Sequence, residues 1–446
     1  MLFILPFLPI AFIIFSLFLF KDILKASFAT YLLILFLSFY YSVFPEKILE
    51  AHLNSALSAF KIFLLIFSLL LIFNFLEKEK VLSHFKKKDL KTFITVGVFF
   101  TILIEGLVGF GTPGMIATRT LIDLNFNPLH SAIISLQSDF TSHFGAFATP
   151  INVVKNFYPS LDFVKYVGLI TSVLLLFPII FSSFILKERI GFDIIISYLF
   201  FAISTILISF YFTSYFYLIL VISSTLSLIF LFLENRKLLK EFLKFVSPFF
   251  LGIFLYLILN QFTQIVTNFF GMGIIFLLIA LILYNSKIDK ENLEKPFKNS
   301  IKLFLIIFFL SYVALFYSIS KYNSKNFPSL VEIISNVLKF SDSYFLILSP
   351  IIGILGAFIF GSATVSNLTF FNIQKEIALS LNLDVDKVLA LQCIGAGIGN
   401  MISLYNISAI VALSEKLKNK EIEIIKVNSL FAAIFTIISY LLILFL

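Results

Sequence analysis

The sequence has no tryptophan, one cysteine, four histidines and few charged residues, which make up 13% of the chain. The single cysteine, Cys393, excludes an internal disulfide, and its apolar surroundings indicate a packing residue. No metal-ligand spacing and no catalytic signature is present, so we predict no enzyme activity, no metal and no cofactor. The four histidines are His52, His84, His130 and His143.

Apolar residues fill the rest of the chain: 60% of it is hydrophobic, Phe occurs 61 times, and the mean hydropathy is +1.05. Because a helix of roughly 20 apolar residues crosses a bilayer, these runs predict an all-α polytopic membrane protein with about 12–14 transmembrane helices. The candidate spans are 2–20, 26–44, 54–76, 92–108, 128–148, 163–186, 192–212, 214–233, 246–262, 268–285, 301–319, 343–360, 387–404 and 427–446.

The basic residues predict how the chain is oriented in the membrane. They are concentrated in short loops, so the net charge of +8 indicates orientation relative to the lipid bilayer and not nucleic-acid binding. The loops predicted to be cytoplasmic are 77–91, 236–244, 287–302 and 416–426. Counting spans back from them places the N-terminus outside the cytoplasm. The first span is read as retained, because no basic residue precedes it.

Two Gly-rich stretches lie in the two halves of the chain. A spacing of 36 residues separates Gly109 from Gly145, and the same spacing separates Gly361 from Gly397. Helix-breaking residues in corresponding positions of two apolar halves point to the binding site of a transporter. Each stretch has two parts: 105–113 and 144–150 in the first, 361–367 and 395–400 in the second.

The flanking charges indicate that the two stretches cross the membrane in opposite directions. The first is entered from a Lys-rich loop and left through a loop with few basic residues, whereas the second has the reverse order. We therefore predict two inverted repeats containing broken helices or re-entrant segments. They cover about 54–186 and about 301–446 of a single transmembrane domain, residues 1–446.

The breaks favour binding of a small anion. Helix N-termini offer N–H groups at the positive end of the helix dipole, and hydroxyl and amide side chains add neutral donors. Two alternatives stay open: carbonyl oxygens in these loops binding Na⁺, and Gly, Ser and Thr serving close helix packing alone. The candidate substrate-binding residues are Gly109, Gly111, Thr112, Thr149, Gly361, Ser362, Thr364, Ser366, Asn367, Asn400 and Asn406.

Three titratable residues of the first half are candidates for coupling transport to protons. Glu105 lies at membrane depth, where a carboxylate is costly and is by default a functional hypothesis. Asp139 and His143 are four residues apart, which places them on one face of a helix as a relay pair. For Asp139 and His143 the alternatives are a structural ion pair or a polar face towards the lumen. For Glu105 they are pairing with Arg119 or with backbone N–H groups.

These stretches resemble the L-lactate permease family. The resemblance implies an inner-membrane carrier with 12–14 spans that takes up L-lactate, and often D-lactate and glycolate, with protons. The chain departs from the family pattern at Tyr405, where His is usual, and at Asp139 and His143, in a segment that is usually neutral. The motifs that carry the resemblance are Glu-Gly-x-x-Gly-Phe-Gly-Thr-Pro (105–113), Phe-Gly-Ala-x-x-Thr-Pro-Ile (144–151), Gly-Ser-x-Thr-x-Ser-Asn (361–367) and Gly-Asn-Met-Ile (399–402).

The sequence therefore predicts a secondary active transporter that imports L-lactate, or D-lactate or glycolate, with H⁺ across the inner membrane. The rival prediction is a Na⁺-coupled carboxylate transporter of similar inverted-repeat architecture. Residues and resemblance together leave the oligomeric state, the coupling stoichiometry and the preferred 2-hydroxy acid open.

Overall fold

A computed structural model describes residues 5–20, 22–77, 88–109, 112–155, 157–262, 269–284, 290–330, 332–333, 336, 344–411 and 414–446. Helices form nearly all of this part of the chain. They are α1 (Leu8–Phe20), α2 (Ile23–Tyr41), α3 (Pro45–Glu77), α4 (Leu90–Leu107), α5 (Thr112–Asp123), α6 (Pro128–Ser138), α7 (Gly145–Asn152), α8 (Phe163–Leu186), α9 (Phe192–Tyr211), α10 (Thr213–Phe232), α11 (Arg236–Phe262), α12 (Phe269–Tyr284), α13 (Lys290–Ile319), α14 (Phe345–Phe360), α15 (Ala363–Ser380), α16 (Val385–Met401), α17 (Leu404–Val411) and α18 (Glu421–Phe445).

The described helices have the length and composition of membrane spans. Ten of them are long and apolar enough to cross a bilayer, and two shorter apolar helices lie in α12 and α14. Large apolar side chains face outward, including Phe39 (75% exposed), Phe184 (78%) and Phe445 (87%). Outward apolar side chains on spanning helices are suited to lipid. The predicted all-α, multi-pass membrane protein is confirmed.

Several spans have different limits from those predicted. The spans 54–76 and 301–319 are parts of longer helices, because α3 begins at Pro45 and α13 at Lys290. Polar and charged residues at these N-terminal ends continue the helix beyond its apolar part. Proline suits the first turn of α3, where its missing N–H has no helical partner.

Residues 361–385, for which no span was predicted, contain α15, which is helical from Ala363 to Ser380 and is not among the described helices that are apolar enough to cross a bilayer. Its polar side chains do not break it, since they bond to other helices. Ser366, for example, donates to the carbonyl of Gly353 in α14 at 2.9 Å. The span predicted at 128–148 is not one continuous helix, because α6 ends at Ser138.

Residues 1–80, 242–342 and 375–382 form one compact unit. Within it α3 packs against α12 and α13, and α2 packs against α1 and α13. An ion pair of 3.3 Å joins Asp22, before α2, to Lys302 of α13. At the other end, the Phe44 N–H donates to the Tyr322 carbonyl at 3.1 Å. Helices α2 and α13 are therefore parallel, whereas α3, which begins where α13 ends, is antiparallel to α13.

Residues 81–241, 343–374 and 383–446 form the other compact unit, in which α16 packs against α14, α8 and α18. Glycines allow close contact on two sides of α16. A Cβ atom would lie 2.2 Å from the Pro350 carbonyl oxygen if added at Gly395, and 2.3 Å from that of Ile354 if added at Gly399. At Gly397 it would lie 2.0 Å from the Phe140 oxygen. For these glycines the packing interpretation is confirmed.

Candidate functional site

Each Gly-rich stretch begins with a helix break at a glycine in the left-handed backbone region. Helix α4 ends at Leu107 and α5 begins at Thr112, with Gly109 at φ +65° between them. Helix α14 ends at Phe360 and α15 begins at Ala363, with Gly361 at φ +67°. A Cβ atom strains this conformation, which explains glycine at both positions. Both predicted breaks are confirmed.

A further break separates α6 from α7. Residues Asp139–Phe144 form a 3-10 helix, and Ala146, Phe147 and Ala148 then adopt φ values of 45°, 53° and 54°. Three consecutive non-glycine residues in the left-handed region are uncommon, because each costs roughly 1–2 kcal/mol. The Thr149 hydroxyl donates to the Ala146 carbonyl at 2.6 Å and so bonds within the turn. Strain of this kind is concentrated at functional sites.

A π-helical turn in α4 holds α4 against α6. It covers Thr95–Phe100, and the Ser138 hydroxyl donates to the Gly97 carbonyl within it at 2.8 Å. A Cβ atom at Gly97 would lie 2.8 Å from a side-chain carbon of Ile134. The two helices therefore approach closely just before Glu105 and Asp139, and turns of this kind are frequent at functional sites.

The breaks border a cavity with about 280 Å³ of space free of protein atoms, a figure that includes open solvent at its mouth. Residues far apart in sequence share its wall, and six of them were predicted as site residues: Glu105, Gly109, Gly361, Ser362, Thr364 and Asn400. The lining residues that were not predicted are Ser142, Gly145, Ala146, Pro150 and Ala363.

Glu105 and Asp139 meet inside the protein. Both are buried, at 2% and 1% exposure, and their carboxyl groups are close enough to interact electrostatically. In the described part of the chain, Glu105 Oε2 and Asp139 Oδ1 accept no hydrogen bond from an N–H or O–H group of another residue. Two ionised carboxylates buried side by side repel each other and have lost their hydration. A proton on one of them would relieve both costs.

Asn400 connects the second stretch to this pair. Its amide nitrogen donates to Asp139 Oδ2 at 3.0 Å, and its amide oxygen accepts from Asn406 Nδ2 at 2.9 Å. The Asn406 side-chain amide also donates to the backbone carbonyl of Asn400 at 3.1 Å. Asn406 thus orients Asn400, which lies in the cavity wall, and Asn400 in turn orients the Asp139 carboxyl group.

His143 does not face Asp139 in the way that the four-residue spacing predicted. Its Nε2 lies 2.8 Å from the Thr171 hydroxyl of α8, which donates its own proton to the Val167 carbonyl at 2.7 Å. Nε2 is therefore the donor to Thr171. Among the hydrogen bonds of the described residues none joins His143 to Asp139. The expected shared face was wrong because residues 139–144 form a 3-10 helix, in which i and i+3 are aligned.

The alternative that Glu105 pairs with Arg119 is also not what the structure shows. Arg119 lies on the exposed side of α5, whereas Glu105 is buried against Asp139. None of the described groups of His, Cys, Asp and Glu has the arrangement needed to hold a metal ion.

Four predicted residues lie outside the cavity lining and bond within the protein. Asn367 donates to the Pro150 carbonyl at 3.0 Å and accepts from the Gln392 amide at 3.3 Å, so it connects three segments. Ser366 and Thr149 donate to backbone carbonyls, and Asn406 donates to Asn400. Their substrate-binding roles stay predictions. Gly111 and the side chain of Thr112 lie outside the described residues.

The start of α15 gives the cavity an electropositive wall. Ser362 caps this helix, because its hydroxyl accepts from the Val365 N–H at 3.4 Å and its carbonyl from the Ser366 N–H at 3.0 Å. The N–H groups of Ala363 and Thr364 belong to the first turn and have no carbonyl partner within the helix. Both residues line the cavity, so the wall suits an anion.

Partial signals for the lining residues that were missed are present in the sequence. Gly145, Ala146 and Pro150 belong to the Gly-rich motif at 144–151, but a motif does not show which members face inward. Ser142 carried no signal of its own. It comes three residues after Asp139, and the two are aligned in the 3-10 helix.

Comparison with known sequences extends over nearly the whole chain. The sequence model of the L-lactate permease family matches residues 2–244 and 258–446. A putative L-lactate permease of Haemophilus influenzae is 39% identical over 114 residues, which are 25% of this chain and 21% of that protein. An L-lactate permease of Bacillus subtilis is 38% identical over 89 residues, which are 20% of this chain and 16% of that protein. These alignments thus span about a fifth of either relative or less.

Proposed function

The chain belongs to the L-lactate permease family, and on that premise we propose that it is a secondary active carrier that imports L-lactate with protons. D-lactate and glycolate are further candidate substrates. The observation that carries the proposal is the single cavity wall shared by the capped start of α15 and by Glu105. This wall offers a place for an anion beside a group that can carry a proton.

The anion is proposed to bind with its carboxylate at the start of α15. Free N–H groups and the positive end of a helix dipole favour a carboxylate there, and Ser362 and Thr364 add hydroxyl groups. The lining residues of this cavity include no Lys or Arg. A single negative charge therefore suits the wall better than two, which favours a monocarboxylate over a di- or tricarboxylate.

The coupling proton is proposed to reside on the Glu105–Asp139 pair. Glu105 lies in the last turn of α4, and Asp139 follows the last residue of α6. The negative ends of both helix dipoles disfavour two ionised carboxylates at this point. Since Glu105 also lines the cavity, a proton on the pair can exchange with the cavity. His143, a third candidate from the sequence, is proposed only as a secondary participant, because it bonds to Thr171.

The proposed orientation places the protein in the inner membrane, with its N-terminus outside the cytoplasm. Two contacts support it: Asp22 pairs with Lys302, which ends the basic segment 287–302 and lies in α13, and Phe44 bonds to Tyr322 at the other end. The antiparallel arrangement of α3 and α13 also supports inverted repeats over about 54–186 and 301–446. These two helices open the proposed repeats and cross the membrane in opposite directions.

Uptake of labelled L-lactate into membrane vesicles with an imposed pH gradient tests the proposal. We expect saturable accumulation that a protonophore abolishes and that persists when choline replaces Na⁺. Accumulation that requires Na⁺ would favour the rival sodium-coupled carboxylate carrier. Vesicles that do not accumulate lactate under either gradient would refute both.

A further inference from the structure

Ser142 is a buried side chain of the cavity wall to which the sequence assigned no role. It lies in the 3-10 helix Asp139–Phe144, three residues after Asp139, and it lines the cavity with Glu105 and Asn400. The residue is 4% exposed, and its hydroxyl has no hydrogen-bond partner within the described part of the chain.

Neighbouring hydroxyl groups in the same break are all paired. Thr141 donates to the Ser138 carbonyl at 3.0 Å, Ser138 to the Gly97 carbonyl at 2.8 Å, and Thr149 to the Ala146 carbonyl at 2.6 Å. Buried polar groups in native proteins are rarely left without a partner. Because Ser142 lines the cavity, a ligand in the cavity is the natural partner for its hydroxyl.

The chemistry of the wall indicates which part of a ligand Ser142 meets. The charged end of an acid is best satisfied by the N–H groups and hydroxyls at the start of α15. Ser142 belongs to a different element and is neutral. A hydroxyl is both donor and acceptor, so it can pair with a second hydroxyl in either sense. A 2-hydroxy acid presents such a group one carbon away from its carboxylate.

We propose that the Ser142 hydroxyl binds the 2-hydroxyl group of the substrate and so selects 2-hydroxy acids over acids that lack it. The inference rests on the proposed function, since it places the carboxylate at α15. A site that pairs a substrate hydroxyl discriminates against analogues without one, because its own polar group is then left unpaired.

The test compares lactate with propionate, which has the same carbon chain without the hydroxyl. The inhibition constants of both acids against labelled lactate uptake are measured for the unaltered protein and for Ser142→Ala. Loss of one hydrogen bond corresponds to a change of about three- to tenfold. We expect Ser142→Ala to weaken the binding of lactate by that factor and to leave the binding of propionate unchanged. The inhibition constant of propionate divided by that of lactate should therefore fall.

Two further variants serve as controls. Ser142→Thr keeps a hydroxyl and is expected to keep most of the discrimination. Thr141→Val removes a neighbouring hydroxyl that bonds to the backbone and does not line the cavity, so its ratio should equal that of the unaltered protein. Where Ser142→Ala lacks uptake, protection of the purified protein against thermal unfolding by each acid gives the same ratio.

The outcomes separate this inference from the proposed function. If Ser142→Ala weakens the binding of lactate and of propionate equally, Ser142 contacts the carboxylate and the inference is overturned. An unchanged ratio would overturn it as well. Failure of the unaltered protein to accumulate or bind lactate would instead refute the proposed function.

Discussion

Gly145 leaves open the space that the carboxyl group of Glu105 occupies. A Cβ atom added at Gly145 would lie 2.0 Å from Glu105 Oε1 and 2.9 Å from its carboxyl carbon, and the three nearest atoms all belong to Glu105. The backbone of Gly145 is extended, with φ −66° and ψ 155°, which any residue can adopt. Glycine is therefore needed here for the position of Glu105 and not for the chain conformation.

Gly145→Ala is expected to displace the Glu105 carboxyl group and to abolish most proton-driven lactate accumulation. Insertion of a methyl group into such a site costs about 1–3 kcal/mol. Glu105→Asp shortens the side chain by one methylene, so the double variant should recover part of the activity that Gly145→Ala loses. Uptake under a pH gradient measures both.

Gly114→Ala is the matched control for Gly145→Ala. Its Cβ atom would meet only the end of the Ile410 side chain, at 3.2 Å, so near-normal uptake is expected. If Gly145→Ala transports normally, or if Glu105→Asp gives it no rescue, Gly145 does not act through Glu105.

Glu105→Gln is expected to abolish accumulation of lactate while lactate exchange across the membrane continues. The amide keeps the size of the side chain and can donate to Asp139, but it cannot carry a proton. Counterflow and gradient-driven uptake in the same vesicles distinguish the two activities. Glu234→Gln, which changes a carboxylate that is 83% exposed and pairs with Lys91, is the control. Equal loss of both activities in Glu105→Gln would indicate a structural role.

Asn367→Ala distinguishes the predicted substrate contact from the connection that the structure shows. Removal of this fully buried amide leaves the Pro150 carbonyl and the Gln392 amide each short of a partner, at a cost of about 1–3 kcal/mol. We expect a lower unfolding temperature in detergent and little change in lactate affinity.

Thr369→Val provides the comparison for Asn367→Ala. Its hydroxyl donates to the Val365 carbonyl of the same helix at 2.8 Å, so a smaller loss of stability is expected. Weaker lactate binding by Asn367→Ala at an unchanged unfolding temperature would support the direct substrate contact instead.

Asp22→Ala is expected to destabilise the N-terminal part of the chain in a pH-dependent way. Asp22 caps α2 by accepting from the N–H groups of Leu24 and Lys25, and it pairs with Lys302. Partial burial raises the pKa of Asp22, but these hydrogen bonds and the Lys302 charge outweigh it and lower the pKa below the usual 3.8. Loss of such a cap costs about 0.5–2 kcal/mol.

The lowered pKa fixes the sign of the pH dependence. The contribution of Asp22 is fully present above the pKa of the unfolded chain and is lost as the pH falls through the lower pKa of the folded protein. Asp22→Ala should therefore differ from the unaltered protein at neutral pH, and the difference should shrink in acid. Lys302→Gln, which keeps the cap, should lose less stability. A difference that grows in acid would contradict this account.

The sequence was sufficient to locate the breaks and most of the cavity wall. Gly109 and Gly361 lie in the left-handed region, a conformation that glycine permits and that the Gly-rich motifs indicated. Asn400 reaches the same wall from the second stretch, as the equal spacing in the two halves suggested.

The relations between side chains could not be predicted in the same way. The spacing of Asp139 and His143 indicates a shared face only in an α-helix, whereas this segment is a 3-10 helix. It packs against α16, a contact that no local pattern reports. The polar residues Ser366 and Asn367 were read as a break, yet bonds to other segments satisfy them inside a regular helix. In both cases the segment has tertiary partners that the local sequence does not reveal.

The left-handed turn at Ala146–Ala148 has a mechanical consequence. A right-handed helix lengthens by adding residues of the same hand. Neither the 3-10 helix before this turn nor the right-handed part of α7 that follows Ala148 can therefore take up these residues without reversing three backbone conformations. The end of each helix is thereby fixed in the sequence. If this segment moves, the helices on either side would rotate about Ala146–Ala148. The position of this hinge in the sequence would not change.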